Sequence, residues 1–461
     1  MNTVRIAWFS PLPPVKTGIA GRSAELVEVL RSRGHTIDMY PEGNAHDFPW
    51  RRRREPYDLA VYQLGNSSHH DYEWPYALQY PGLTVLHDTH LHHARAALLL
   101  REKRVDNYRA EFRWSHPDVS PDAAEIAIAG FDSRLYYDWP MVRALVDASR
   151  LTAVHGEAAR DEVVAGMGAT LDSRKVVSVR LGEGELVSPE REARARREVR
   201  ARYGIEPDAV LFGCFGGLTP EKRIAKILAA FTAVRPHAPH ARLLLAGAPA
   251  KHYDIAADIS RACHGSEGTG VTLTGYLETD AELTDHIAAC DVTLNLRWPT
   301  ARETSGPWLR ALAAGKPTVV TDLAHLTDFA SLDPRTWHLQ EASAPIGERS
   351  SAIRDRPSVI GHRSSDAVAV AIDILDEDHS LRLAMRRLAK DAGLRVRLGQ
   401  AAREYWTSEH SVEAMADDYE RVMRDAAARP DPDTELPQHM RDPGDRRLRE
   451  LLQPFGVEVK L

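Results

Sequence analysis

The chain carries a carboxylate beside the predicted start of a helix, where a predicted strand has ended. Glu303 lies in a polar loop between a β-rich run at Asp291–Leu296 and a helix predicted from Pro307 to Ala314. Thr304 and Ser305 suit the N-cap of that helix, and backbone amides at such a position bind phosphate. A carboxylate in the same loop accepts hydrogen bonds from the hydroxyls of a polyol. The loop therefore predicts a ligand that combines phosphate with a polyol, as a nucleotide sugar does.

A lysine in another predicted strand-end loop adds positive charge. Lys222 follows a strand and a Gly-Gly turn, near the start of a helix. A cation there would neutralise a diphosphate while its glycosidic bond breaks. Arg223 or Arg310 could add a bidentate phosphate contact. The alternatives are a solvated lysine, a surface ion pair for Arg310, and a role for Glu303 that is limited to the helix dipole.

Two series of alternating strands and helices position these loops. The first series has predicted strands at Val4–Phe9, Thr36–Tyr40, Asp58–Gln63, Gly82–Leu86, Leu151–Val154 and Val176–Val179. The second has predicted strands at Val210–Leu218, Leu243–Pro249, Val271–Leu277, Asp291–Leu296 and Pro317–Asp322. This alternation predicts an α/β protein with doubly wound sheets, which bind ligands at the carboxyl ends of their strands. A polar segment at Ala342–Ser365 precedes a region predicted to be helical as far as Ala428.

The composition restricts the class of protein. The length of 461 residues suits two domains with additional segments. A formal net charge of −7 argues against a general nucleic-acid binder. Cys214, Cys263 and Cys290 are too widely spaced for a metal cluster and suggest a reducing compartment. Without a signal peptide or a run that could span a bilayer, the sequence predicts a cytoplasmic protein.

Four motifs in register carry a resemblance to a known family. FGGLTPEKRI, AGAP, VTLTGYLETDAELTDHIAACDV and RETSGPWLRALAAGKPTVV follow one another between Phe215 and Val320. They resemble the motifs of family 4 glycosyltransferases, which are retaining enzymes of GT-B fold that include bacterial glycan-assembly transferases. The resemblance implies two Rossmann-like domains that face each other across a cleft. The N-terminal domain would bind the acceptor, and the C-terminal domain would bind the nucleotide-sugar donor.

On this resemblance we predict domain bounds and site residues. The bounds are 1–188 for the acceptor domain, 189–404 for the donor domain, 405–428 for a helix that crosses back, and 429–461 for a flexible Pro/Asp-rich tail that includes a short amphipathic piece at Arg446–Leu452. The predicted catalytic residues are His87, Lys222 and Glu303. The predicted donor-binding residues are Gly18, Gly217, Arg223, Thr304, Ser305, Gly306 and Arg310. Lys16, His70 and Asp88 are predicted on the acceptor side.

The sequence departs from the family pattern at several positions. Glu303 reaches the first glutamate position of the family only if one residue is deleted between it and the helix. Gly217 stands where an arginine usually helps to hold the diphosphate, and Arg223 stands where glycine is usual. Arg310 stands where a glutamate typically holds the nucleotide ribose. His87 matches a family histidine that contacts the donor sugar. A packed loop histidine is the alternative, and metal binding by His87, His90, His92 and His93 is disfavoured because their spacing does not suit a tetrahedral site.

The resulting hypothesis is a retaining hexosyltransferase that moves a hexose-type sugar from a UDP- or GDP-linked donor to a hydroxyl of a saccharide or lipid-linked acceptor. It needs no cofactor and no metal. The alternatives are a non-catalytic GT-B module that binds a nucleotide sugar or serves as a scaffold, and a different GT-B chemistry such as epimerisation or phosphorolysis. The run Arg51–Arg54 beside Trp50 suggests a peripheral contact with an anionic membrane, with a solvated loop as the alternative.

Overall fold

The computed structural model describes residues 3–130, 135–168, 172–251, 253–263, 270–322, 329–340, 366–441 and 452–456. The chain divides into two compact units. The first comprises Met1–Val179, Ala301–Glu303 and Met415–Leu461, and the second comprises Arg180–Thr300 and Thr304–Ala414. The domain bounds derived from the sequence stay a prediction beside this division.

The first unit contains a six-stranded parallel sheet. Its strands are β1 (Arg5–Phe9), β2 (Thr36–Tyr40), β3 (Leu59–Leu64), β4 (Leu83–Leu86), β5 (Leu151–His155) and β6 (Val176–Val179). The order is β2-β1-β3-β4-β5-β6. β3 and β4 are buried along their whole length, as parallel strands are when both faces of the sheet are covered. This burial explains their nearly continuous apolar sequences, and the sequence predicts all six strands.

Helices surround this sheet. They are α1 (Gly18–Ser32), α2 (Phe48–Arg54), α3 (Glu73–Gln79), α4 (His92–Arg101), α5 (Val105–Ser115), α6 (Asp122–Ile128), α7 (Leu135–Asp138), α8 (Arg143–Ala148) and α9 (Glu157–Met167). Thr17 caps α1 by accepting a hydrogen bond from the amide of Ala20 at 3.1 Å. The turn after α1 places Gly34 at φ +99°, a conformation that suits glycine.

The second unit contains an eight-stranded sheet in the order β13-β12-β14-β11-β10-β7-β8-β9. Its strands are β7 (Val210–Phe215), β8 (Ala241–Ala246), β9 (Val271–Gly275), β10 (Val292–Asn295), β11 (Thr318–Thr321), β12 (Ser331–Leu332), β13 (Leu339–Gln340) and β14 (Ala369–Ile372). Its helices are α10 (Pro189–Arg202), α11 (Ile224–Val234), α12 (Ile255–Cys263), α13 (Asp280–Ala289), α14 (Gly306–Ala313), α15 (Glu377–Lys390) and α16 (Ala392–Glu409). β12 and β13 are antiparallel, and the other pairs are parallel. The fold class is therefore the predicted one, with two α/β units that are each built on a Rossmann-like sheet.

In both sheets the strand order reverses beside the first strand of the unit. β1 pairs with β2 on one side and with β3 on the other. β7 likewise pairs with β8 and with β10. Open α/β sheets bind ligands outside the carboxyl ends of the strands at such a reversal. The topology of each unit therefore singles out one edge of its sheet as a candidate site.

One strand contradicts the sequence analysis. The region from Ser365 to Ala428 was expected to be helical, but Ala369–Ile372 forms β14, which pairs in parallel with β11 and β12. All four residues of β14 are buried. A short apolar run rich in alanine fits a buried strand and a buried helix equally well, and here the sheet determines the outcome. Of the polar segment predicted at Ala342–Ser365, no residue lies within the described part of the chain.

The described start of the predicted tail contains a helix and packs against the first unit. α17 (Val412–Ala428) is followed by α18 (Gln438–Arg441). Leu436 and Met440 join a buried cluster with Ala144 and Ala148. His439 Nε2 lies 2.7 Å from a carboxylate oxygen of Glu111. Residues 429–441 thus include a helix and buried contacts, whereas the flexibility of 429–461 stays a prediction. All of Arg446–Leu452 except Leu452 lies outside the described residues.

Within the described residues, the helices are all too short or too polar to cross a lipid bilayer.

Candidate functional site

Lys222 lies at the reversal point of the second sheet. The side chain is only 9% exposed, and its amine donates to the carbonyl of Phe215, the last residue of β7. The loop after β10 meets the same turn, because the amide of Trp298 donates to the carbonyl of Glu221 at 2.8 Å. The structure thus places a buried cation where β7 and β10 both end.

Gly216 makes this position of the lysine possible. Its φ is +92°, and a Cβ built on it would lie 2.8 Å from Lys222 Nζ and 3.5 Å from Pro307 Cγ. The neighbouring Gly217 has open space around its Cβ position and an ordinary φ. Of the Gly-Gly pair, Gly216 is therefore the residue whose φ the turn requires, and the donor-binding role of Gly217 stays a prediction.

The predicted loop helix begins where expected. α14 runs from Gly306 to Ala313, with Ser305 at its N-cap and Pro307 in its first turn. The Ser305 side chain makes no capping hydrogen bond, which differs from the expected cap. Thr304 precedes the cap in the same unit. The Pro307 ring in this first turn lies beside Gly216, and through it beside Lys222. We call Gly216, Lys222 and the start of α14 the second edge.

The two arginines predicted to bind phosphate have carboxylate partners. Arg223 adopts a left-handed conformation with φ +59°, which explains why glycine would suit this position. Its guanidinium forms a bidentate pair with Glu377, at 2.7 and 2.5 Å. Arg310 Nε lies 2.7 Å from Glu183, and its Nη2 lies 2.9 Å from Asp280. Both guanidinium charges are therefore balanced within the second unit, so we leave these arginines out of the phosphate contacts.

Glu303 belongs to the short segment Ala301–Glu303, which groups with the first unit. Its carboxylate accepts a hydrogen bond from the amide of Ala301 at 3.1 Å. Arg302, between them, has φ +62°, so the loop turns sharply here. Within the first unit, the carbonyl of Ala301 accepts from the amide of His90 at 3.3 Å. The role of Glu303 toward a donor sugar stays a prediction.

His87 lies at the carboxyl end of β4 with partners on both ring nitrogens. Its Nε2 lies 2.7 Å from Gln63 Oε1, and its Nδ1 lies 3.1 Å from His155 Nε2. Tyr419 donates to the same oxygen of Gln63 at 3.2 Å. Burial, reinforced by His155, holds the pKa of His87 well below its usual value. His87 is therefore a neutral hydrogen-bonding group at neutral pH.

His70 and Asp88 meet at Gly65, directly after β3. A Cβ built on Gly65 would lie 3.0 Å from His70 Nε2 and 3.3 Å from Asp88 Oδ2. His70 is buried, and its Nδ1 lies 2.9 Å from Glu73 Oε1. Its contacts therefore help to fix the conformation of the loop after β3. Asp88 accepts a hydrogen bond from the amide of Asn66 at 2.7 Å. Burial lowers the pKa of His70 to about 4.

We call this group of residues at and after the carboxyl ends of β3, β4 and β5 the first edge. It comprises Gln63, Gly65, His70, His87, Asp88 and His155.

The sequence analysis predicts two site residues, Lys16 and Gly18, in the loop after β1. Gly18 is the first residue of α1 rather than a loop residue, and Arg22 donates to its carbonyl at 3.1 Å. A Cβ at Gly18 would lie 2.9 Å from the guanidinium of Arg22. Lys16 is exposed in the preceding turn. Their roles toward a phosphate or an acceptor stay predictions.

Sequence reasoning missed Gly216, Glu183, Gln63 and His155. The signals were weak: one glycine of a pair, a Gly-Glu-Gly sequence at 182–184, and polar residues inside or at the end of predicted strands. In the described part of the chain, no three His, Cys, Asp or Glu side chains come together as a metal site. Cys214 and Cys290 are buried free thiols.

Comparison with known proteins adds a family for part of the chain. Residues 209–334 match the family of group 1 glycosyl transferases. This region runs from just before β7 to just beyond β12, so it includes Lys222, Gly216 and α14. None of the curated proteins matches the chain.

Solved structures show the same fold at low sequence identity. HepE of Anabaena, solved with UDP-glucose, aligns with a TM-score of 0.55 and 12% identity over 91% of this chain and 99% of its own. Sucrose-phosphate synthase of Thermosynechococcus elongatus gives 0.57 and 16%, over 91% and 98%. WaaG, a glycosyltransferase involved in lipopolysaccharide biosynthesis, gives 0.52 and 13%, over 91% and 99%. At these identities the likeness establishes the fold.

Proposed function

We propose that the protein is a retaining glycosyltransferase that moves a hexose-type sugar from a nucleotide donor to a hydroxyl acceptor. One observation carries the proposal: a buried lysine amine lies beside the start of α14 at the reversal point of the second sheet. The match of residues 209–334 to group 1 glycosyl transferases supports it. UDP-glucose is the ligand of HepE, so a UDP-linked donor is the first to test, with a GDP-linked donor second.

In this mechanism the chain holds and neutralises the donor. Lys222 and the amides at the start of α14 bind the diphosphate, and they stabilise the charge that develops on it as the glycosidic bond breaks. His87 and Glu303 bind sugar hydroxyls. In the proposed route to retention, the leaving phosphate helps to deprotonate the acceptor on the same face of the sugar. The donor needs no cofactor and no metal on the diphosphate.

The test is binding followed by transfer. Calorimetry with UDP, GDP and their glucose conjugates identifies the donor, and release of the nucleoside diphosphate then measures turnover on saccharide and lipid-linked acceptors. We expect Lys222→Met to lower kcat/KM by about a hundredfold, because it removes a charge that stabilises the transition state. Lys226→Met is the matched control, since Lys226 pairs with Asp378 at the protein surface.

If Lys222→Met turns over like the wild type while folded, the lysine has no part in catalysis. Binding of a nucleotide sugar without turnover on any acceptor would favour the second candidate, a non-catalytic GT-B module. The carboxylate partners of Arg223 and Arg310 favour that candidate, because a diphosphate would then have fewer cations available to it.

The acceptor side of the proposal includes a membrane contact. Trp50 is 62% exposed on α2, and Arg51–Arg54 on the same helix are exposed as well. Such a surface suits a peripheral contact with anionic lipid, as a protein that acts on a lipid-linked acceptor would need. Co-sedimentation with phosphatidylglycerol vesicles, but not with phosphatidylcholine vesicles, is expected. Equal sedimentation with both would contradict the contact.

A further inference from the structure

Glu183 is held in place by the backbone of the second unit. Its amide donates to the carbonyl of His410 at 3.2 Å, and its carbonyl accepts from Trp406 Nε1 at 2.8 Å. Both partners lie at the end of α16 or just after it. The position of Glu183 is therefore set by main-chain contacts and does not depend on its own side chain.

The glycines on either side allow this close packing. A Cβ on Gly182 would lie 2.7 Å from the carbonyl oxygen of Ser411. Gly184 has φ +87°, and a Cβ on it would lie 2.9 Å from Arg310 Cγ. Neither position accommodates a side chain without movement of the backbone. The two glycines of the Gly-Glu-Gly sequence thus allow the carboxylate of Glu183 to lie beside α14.

The carboxylate lies along the first turn of α14. One oxygen lies 2.7 Å from Arg310 Nε, and a Cβ on Gly306 would lie 3.5 Å from the carboxyl carbon. The Glu183 side chain is 8% exposed, whereas Asp280, the other partner of Arg310, is 77% exposed. The exposed carboxylate of Asp280 would by itself balance the charge of Arg310. A purely structural ion pair therefore does not require the buried carboxylate of Glu183.

The first turn of α14 therefore lies between two opposite charges. Pro307 approaches Gly216 and through it Lys222, whereas Gly306 approaches Glu183. A ligand whose anionic group is bound by Lys222 and the helix amides would have its neighbouring hydroxyls near Glu183. A carboxylate accepts two hydrogen bonds from adjacent hydroxyls, and such bonds are stronger than those between neutral groups.

We propose that Glu183 binds a vicinal diol of the donor nucleotide sugar and that Arg310 positions it. Arg310 balances the charge of the carboxylate, which reduces its repulsion of the nearby diphosphate. This inference rests on the proposed function, because it assumes that the diphosphate binds at Lys222. The diol is either that of the ribose or that of the transferred sugar, and the two sources can be distinguished by experiment.

The test compares ligands that have or lack each diol, and it measures their binding to the wild type and to Glu183→Gln. Calorimetry measures the affinity of the full-length protein for UDP, 2′-deoxy-UDP and UDP-glucose, with the GDP series in parallel. If Glu183 binds the ribose, Glu183→Gln lowers the affinity for UDP by about tenfold and leaves that for 2′-deoxy-UDP nearly unchanged. If it binds the sugar, UDP and 2′-deoxy-UDP bind as before, and the loss of about tenfold appears only with UDP-glucose.

Two further variants separate binding from folding. Glu185→Gln is the matched control, because Glu185 lies two residues away, is 62% exposed and pairs with Arg191. The double variant Glu183→Gln/Arg310→Gln removes both partners, so it leaves no buried guanidinium without its carboxylate. We expect the double variant to recover the thermal stability that Glu183→Gln loses, but not the affinity for the ligand that carries the bound diol.

The outcomes are distinct. If Glu183→Gln and the folded double variant bind all three ligands like the wild type, the assignment of Glu183 is wrong while the proposed function stands. A wild-type protein that binds no nucleoside diphosphate or nucleotide sugar would overturn the proposed function and this inference together.

Discussion

The two sheet edges share one topology and carry different chemistry. At the first edge, Gln63, His87 and His155 form a chain of hydrogen bonds, and His87 at its centre is neutral at pH 7. At the second edge, the Lys222 amine and the first turn of α14 lie beside Gly216, with an arginine and a carboxylate on the other flank of α14. Neutral donors and acceptors suit hydroxyl groups, whereas a buried cation suits phosphate. The reversal of strand order fixes where a ligand binds, and the loop residues decide which ligand it is.

The largest effect is expected at Gly216. A Cβ there would require a strained φ of +92° and would lie 2.8 Å from Lys222 Nζ, so Gly216→Ala displaces the amine. We expect a loss of about a hundredfold in affinity for UDP, measured by calorimetry, and a fall of about 1–3 kcal/mol in the free energy of unfolding.

The adjacent glycine gives the matched control for this change. Gly217→Ala meets open space and an ordinary φ, so its stability should equal that of the wild type, and its affinity for UDP should fall far less than that of Gly216→Ala. If both substitutions weaken UDP binding equally, the turn as a whole matters and the specific role of Gly216 is contradicted.

A substitution at the first edge should change transfer but not diphosphate binding. His87→Ala removes the centre of the chain from Gln63 to His155, and we expect kcat/KM to fall by about a hundredfold because a positioned hydrogen bond is lost. The affinity for UDP should change less than about twofold, since UDP lacks the sugar that His87 is proposed to contact. His93→Ala, at an exposed position on α4, is the control. A large loss of UDP affinity in His87→Ala would remove the proposed division between the two edges.

Acid should weaken the first unit before the second. Burial lowers the pKa of His116 to about 4 and that of His87 well below 6.5, and both lie in the first unit. Because the folded-state pKa is depressed, the stabilisation is present above about pH 6.5 and is lost as the pH falls toward the folded value. For His116 the loss is about 2 kcal/mol between pH 7 and pH 5, and His87 contributes in the same direction. Glu73, whose pKa burial raises, acts in the opposite sense on the same unit and balances His70 in part.

Hydrogen exchange at pH 7 and pH 5, with protection expressed as a free energy, measures the two units separately. Among the described residues of the second unit, only His410 has a comparably lowered pKa, of about 4. Peptides from β3, β4 and β5 should therefore lose more protection than peptides from β7 and β8. Equal losses in both units would show that the buried histidines of the first unit do not determine its acid stability.

The sequence predicts those features of the two edges that depend on local sequence pattern. Strand positions, the start of α14 and the location of Lys222 follow from apolar runs, glycines and a proline at a helix start. It does not predict the partners of the charges, because Arg310 and Glu183 are 127 positions apart and Arg223 and Glu377 are 154 apart. Choosing Gly216 over Gly217 requires knowledge of φ, which a Gly-Gly pair does not reveal.

The smallest effect is expected at Arg223, which tests whether every cation near the second edge serves the ligand. Arg223→Lys keeps the charge but loses the bidentate pair with Glu377. We expect the free energy of unfolding to fall by about 1 kcal/mol, measured by urea titration, and the affinity for UDP to stay within about twofold of the wild type. The comparison with Lys222→Met is decisive, because both changes affect a cation in the same turn. If the two variants lose UDP affinity equally, Arg223 leaves Glu377 when the donor binds, and the second edge holds the diphosphate with two cations.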